Sequence, residues 1–238
     1  MGATVSHADG SIDRPAIPDG LVVLRRPHAR STALHRLVAD ELRRRDGPAY
    51  WVDGSNDAST QELYRHASSR TLTGLRLTRA FTAYQHYEAV RDLPKVARPG
   101  TTLIVAPGFA AQYADDDVPD WEAEDMLDAG LTVLRETAKA LGCPVLATVD
   151  GVATGDDPGP LADTVLDAAD HELAVEHTDF GFKYSGENFE TTTYAGPGYW
   201  QTTIPYWVDL LGATDSFDPW EATLLDVQTA LDASLGVA

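Results

Sequence analysis

Cysteine is almost absent from this sequence. The one thiol in 238 residues, Cys143, excludes an intramolecular disulfide and any metal site built on several cysteines. It lies in the apolar run CPVLAT, where a small buried hydrophobe is expected rather than a reactive thiol. Lysine is nearly as scarce, with Lys95, Lys139 and Lys183 beside 15 arginines, and isoleucine occurs four times. Long apolar runs are missing too. Residues 21–24 and 103–106 fall far short of the ~20 residues that span a bilayer, so no membrane association is expected. The opening MGATVSHADGSIDRP holds no apolar segment of a secretory signal. A soluble, cytoplasmic protein is the expectation.

Acid is what the chain has in excess: 37 Asp+Glu against 18 Lys+Arg, a net charge of −19. Together with scarce Lys and Ile, this resembles the proteomes of extremely halophilic archaea, where carboxylates keep surfaces hydrated in concentrated salt. The sign is also divided along the chain. Residues 1–100 carry a balance of +4 and residues 101–238 a balance of −23, which predicts two surfaces of opposite character. With 43% hydrophobic residues the chain can bury a sizeable core, and global disorder is excluded.

Residues 1–19 are polar and proline-punctuated and read as a flexible N-terminal arm. From residue 20 the pattern alternates. Short apolar runs at 20–24, 49–52, 101–106 and 144–149, with an alternating one at 75–81, predict strands. Helical spacing at 31–45, 60–69, 84–93 and 121–141 predicts helices between them. Strand, helix, strand, repeated, argues for an α/β domain with a mostly parallel central sheet flanked by helices. After residue 169 the segments become β-branched and aromatic, with Gly-Pro-Gly at 196–198 as a turn, predicting a C-terminal β-hairpin region. The core domain is set at 20–214, and 215–238 reads as an amphipathic helix.

In such a fold the loop after the first strand is the natural phosphate site. Here Arg25-Arg-Pro-His-Ala-Arg-Ser-Thr32 stands where the GxxxxGK[ST] of a phosphate-binding loop would be. That loop needs glycines so that successive N–H groups curl round phosphate, and a lysine that reaches the terminal phosphates. The register puts Arg25 and Arg30 at the glycines, Ser31 at the lysine and Thr32 at the hydroxyl that would hold magnesium. Only Thr32 survives. It is either a vestigial cofactor-binding hydroxyl or a helix N-cap, and the cap requires no cofactor.

Several segments resemble the RecA/RadA recombinase superfamily, including the small archaeal RadA paralogues and KaiC-like ATPases. They are RAFTAYQHYEAVRDL (79–93), TTLIVAP (101–107), ADTVLDAADHELAVE (162–176), TDFGFKYSGENFETTTYAG (178–196) and WQTTIPYW (200–207). The resemblance extends over roughly residues 20–211. The resemblance implies a RecA-like P-loop-type fold, an ATP/Mg cofactor in active members, and DNA recombination as the setting. Against that family the departures are systematic. The strand that should end in a magnesium-positioning aspartate ends in Ala106, and the glutamate position after the second strand is Ser55, although Asp53 is kept. Phosphoryl transfer relies on positioned cations and an oriented nucleophile, and the parts that supply both are replaced. The resemblance therefore implies a pseudo-ATPase with no catalytic residues and no cofactor, acting as an accessory or regulatory partner of a RadA-type recombinase or of itself.

Arg25, Arg26 and Arg30 crowd the altered loop. They mark either an anion or acidic-partner contact at a helix N-terminus, or side chains that fill the vacated cavity and pair with nearby acids such as Asp53. Asp53 and Asp57 offer a carboxylate pair for acid–base chemistry, but acids in a turn after a strand ordinarily accept from local N–H groups. The histidines show no metal-ligating spacing, and His86 is expected on a helix surface. Ser31 and Ser185 lack a nucleophile-elbow context. The segments 108–125 and 150–163, which follow the strands where RecA relatives hold single-stranded DNA, carry no Lys or Arg, so direct DNA binding is disfavoured. The rival readings are an active ATP-dependent recombinase-like protein with an atypical site, and an interaction module unrelated to DNA.

Overall fold

The computed structural model describes residues 16–114, 118–151, 159, 161–178, 181–186, 189–196 and 199–202, the last two stretches as backbone only. The chain divides into two compact units, Met1–Thr203 and Ile204–Ala238, and every described residue lies in the first. Residues 1–15 of the expected arm and the expected helix at 215–238 lie outside the described residues. Ile17 does not behave as part of an arm: it is 1% exposed and packs into the core.

The first strand, β1 (Gly20–Arg26), is flanked on both sides, and residues 21–24 are fully buried. Burial of a Val or Leu side chain stabilises by about 1.5–3 kcal/mol, so this strand anchors the sheet. It is followed by α1 (Ala33–Arg44), β2 (Ala49–Asp53), α2 (Thr60–His66), α3 (Ser69–Leu72), β3 (Leu75–Arg79), α4 (Ala83–Val96), β4 (Leu103–Ala106), α5 (Asp120–Leu141), β5 (Pro144–Asp150) and α6 (Ala162–Asp167). Four further strands are β6 (His171–Thr178), β7 (Gly181–Gly186), β8 (Phe189–Gly196) and β9 (Tyr199–Thr202). The sheet order is β3-β2-β4-β5-β1-β6-β7-β8-β9. The six strands from β3 to β6 pair parallel, and β6 to β9 pair antiparallel. The expected α/β fold with a mostly parallel sheet and a C-terminal antiparallel region is what the chain adopts.

Two apolar layers cover the parallel part. Leu21, Val23, Ile104 and Val145 pack with α4, α5 and α6 on one face, while Val22, Leu24, Trp51 and Leu146 pack with α1 and α2 on the other. Helices on connections that run toward β3 take the second face and those on connections that run back take the first, so all five crossovers share one hand. The helix expected over 60–69 is broken. Ala67 is extended, and the Ser68 hydroxyl accepts from Thr71 N–H to start α3. Helix α5 carries Asp120 and Glu122 in its first turn and Lys139 in its last, opposing the helix dipole at both ends. It stops at Gly142, whose φ of 60° only glycine adopts without strain.

Candidate functional site

The carboxyl ends of β1, β2, β4 and β5 form the edge where open α/β sheets hold ligands. The connections from β1 and β2 leave toward the α1–α2 face and those from β4 and β5 toward the α4–α6 face, so the crevice opens on both sides of the β4–β5 pair.

Alternation along β1 sends Arg26 into the same face as Val22 and Leu24, and Arg25 into the opposite one. Arg26 is completely buried. Its Nε donates to Asp150 Oδ1 at 2.6 Å and its Nη2 to Asp150 Oδ2 at 2.9 Å. Its Nη1 donates to Asp57 Oδ1 at 3.2 Å and its Nη2 to Asp57 Oδ2 at 2.9 Å. Burial alone would lower its pKa, yet the hydrogen bonds and charges of Asp150 and Asp57 outweigh that and raise it. The guanidinium is thus fully charged and bidentate on two carboxylates. Arg25 lies elsewhere, 3.5 Å from Glu172 on β6, and Arg30 is exposed on the loop. Arg25, Arg26 and Arg30 are not brought together. For Arg26, a contact with an external anion or partner is corrected to an internal one. Its acids are Asp57 and Asp150 rather than Asp53.

The loop between β1 and α1 engages two of its own N–H groups. Ser31 N–H donates to His28 O at 3.0 Å, and the N–H of Ala33 is directed at Ser31 Oγ at 3.4 Å. Thr32 occupies the N-cap position, but its side chain makes no cap hydrogen bond. Its φ of −78° and ψ of −1° are already helical, whereas a capping hydroxyl needs extended backbone to reach the N–H groups ahead.

Asp53 caps the turn that follows it, accepting from Asp57 N–H at 2.8 Å and from Ala58 N–H at 3.2 Å. Arg79 Nε stands 3.6 Å from its other side. Ring nitrogen Nε2 of His35 meets Asp57 O at 2.9 Å and Ser59 N–H at 3.2 Å. The pair Asp53 and Asp57 is therefore committed to local N–H groups and to Arg26. The loops after β2 and β4 touch. A Cβ on Gly108, whose φ is +58°, would fall 2.3 Å from Ser55 Oγ, and one on Gly54 would fall 2.4 Å from Gln112 Oε1.

His86 overturns the expectation of a surface position. It is fully buried, shares a 2.9 Å hydrogen bond between Nδ1 and the Tyr113 hydroxyl, and meets Phe109 edge-on at 5.1 Å. Its Nε2 has no partner, and burial lowers its pKa to about 4. The signal for this position was its spacing from Ala83, Val90 and Leu93, which form the buried stripe of α4. Cys143 is buried as expected, with its thiol pushed up to about 11 by desolvation.

At this edge the carboxylates of Asp57 and Asp150 are paired with Arg26, and that of Asp53 lies beside Arg79. Among the described residues no group of three or more His, Cys, Asp or Glu is placed to hold a metal ion, and no helix is long and apolar enough to cross a membrane. At the opposite end of β1, a groove of about 620 Å³ is lined by Asp19, Gly20, Arg135, Lys139 and Asp170, with charges of both signs. No protein-family model matches the sequence, and no curated protein matches it.

Proposed function

We propose that the chain is a RecA-like domain that no longer takes nucleotide and works as a non-catalytic accessory or regulatory partner in DNA recombination and repair, with a RadA-type recombinase or a second copy of itself as the protein bound. The observation that carries the reading is Arg26, whose buried guanidinium spends its donors on Asp57 and Asp150 at the ligand-binding end of the sheet. The N–H groups of Ser31 and Ala33, engaged within the loop between β1 and α1, support it. The family half of the reading is supported by the order of the resembling segments along a parallel sheet in which β1 lies between β5 and β6.

A protein partner finds apolar surface at one corner. Phe81 is 82% exposed, Trp121 68% and Tyr84 47%, and the Tyr84 hydroxyl donates to Glu122, tying the starts of α4 and α5 together. Exposed aromatics of this kind are what binding hot spots are made of. The same corner favours a second reading, an interaction module unrelated to DNA.

Calorimetric titration of Mg-ATP into the full chain in molar KCl tests the first half, with no binding heat expected. Saturable binding that disappears on Thr32→Ala would overturn it. Affinity purification from the native cell tests the second half. Recovery of a RadA-type recombinase or of a second copy is expected, and consistent recovery of proteins of another pathway replaces the first reading with the second.

A further inference from the structure

Arg26 reaches two carboxylates that belong to different parts of the fold. Asp150 is its register partner on the neighbouring strand β5. Asp57 comes from the connection after β2, which stands three places away in the sheet. Four carboxylate oxygens surround one guanidinium, at 2.6 to 3.2 Å. The loop 54–59 is wrapped onto this centre. Asp53 holds the N–H groups of Asp57 and Ala58, and Nε2 of His35 lies within hydrogen-bond distance of Asp57 O and of Ser59 N–H, serving one or the other according to its tautomer. Take the guanidinium away and two carboxylates face each other with nothing between them, a repulsion that works against the remaining holds of Asp53, His35 and Arg79 on the loop.

Two carboxylates offering four oxygens to one positive centre, at the carboxyl end of a parallel sheet, is also the cradle a divalent cation takes. We propose that Arg26 is a tethered, built-in cation. It stands where a soluble cation would stand and fastens the loop 54–59 to the ends of β1 and β5 in one permanent arrangement, so that this edge does not switch with nucleotide or metal. The proposal rests on the reading of the crevice as closed to nucleotide and specifies how it is kept closed. The side chain is covalently attached and fully enclosed, so no ligand concentration sets its occupancy.

The test is Arg26→Ala in the full chain, melted at constant KCl with and without millimolar MgCl₂ or MnCl₂. The wild type should melt at the same temperature in both. The variant should melt lower and recover part of the loss when the divalent cation is present, because Asp57 and Asp150 then share a soluble ion. A variant as stable as the wild type, or one that no divalent cation restores, overturns the proposal. If the variant does not fold, the triple variant Arg26→Met, Asp57→Asn, Asp150→Asn removes the cation and the repulsion together. Amide exchange at positions 57–59 should then quicken by about tenfold or more relative to the core strands, and unchanged exchange there refutes the lock. Nucleotide binding by the wild type would instead sink the closed-crevice reading, so the two failures are told apart.

Discussion

Acidification from pH 7 to pH 4 should destabilise this domain, with a large share coming from His86 beside His35 and His66, whose pKa values burial also lowers. In the folded state the imidazole is fully buried between Phe109 and Tyr113, with its pKa lowered to about 4 from an ordinary 6.5 by desolvation. The unfolded chain takes up the proton near pH 6.5 and the folded one only near pH 4, so between those values the unfolded state binds more protons and stability rises with pH. The contribution is fully present above about pH 6.5 and is lost as pH falls toward 4. At 1.36 kcal/mol per pKa unit, the loss is about 2 kcal/mol by pH 5 and about 3 kcal/mol by pH 4. Denaturant unfolding of the wild type and of His86→Asn, whose side-chain oxygen can keep the contact with the Tyr113 hydroxyl, isolates this from the other histidines. The variant should start less stable at pH 7 and lose about 3 kcal/mol less than the wild type on the way to pH 4. Parallel losses in the two proteins would show that His86 is protonated as easily folded as unfolded, and the desolvation argument would fail.

Two further outcomes follow from the same coordinates. Gly108→Ala should cost about 1–3 kcal/mol of unfolding free energy, because φ is +58° and the new methyl meets Ser55 Oγ; Gly142→Ala, with a similar φ of +60° but nothing within 4 Å, should cost about 1 kcal/mol, and equal losses in chemical melts would dismiss the steric part. Cys143, buried and with its thiol pushed up to about 11, should react with a disulfide reagent only as fast as the domain unfolds, and rapid labelling of the native protein would contradict its burial.

Much of the architecture is legible in the sequence because it is written in local periodicity. The apolar runs of β1, β2, β4 and β5 and the spacing of α1, α4 and α5 each lie within a few residues of their observed bounds. What escapes is decided by residues far apart in the chain. Strand β1 runs on through Arg25 to Arg26, and two adjacent arginines read as loop until Asp150 and Asp57 are seen beside Arg26 and Glu172 beside Arg25. His86 reads as surface because histidine is polar, yet it completes the apolar stripe of α4 opposite Tyr113, a residue of the connection after β4. The break at Ala67 turns on a single hydroxyl, that of Ser68. The absence of glycine between β1 and α1 is visible in the sequence, as is an arginine paired with nearby acids; which acids they are, Asp57 and Asp150, depends on the fold.

The placing of β1 between β5 and β6 also bears on how the protein is made. Arg26 and its partner Asp150 are 124 residues apart, and β6 follows later still. A ribosome adding about 5–20 residues per second needs on the order of 6–25 s to deliver the neighbours of a strand it has already released. Through that interval the apolar residues 21–24 have no strand on either side, and the helices that later cover them have no finished sheet to pack on. The first strand out is among the last to be paired, which makes the nascent chain, rather than the finished domain, the form most exposed to aggregation and most dependent on a chaperone.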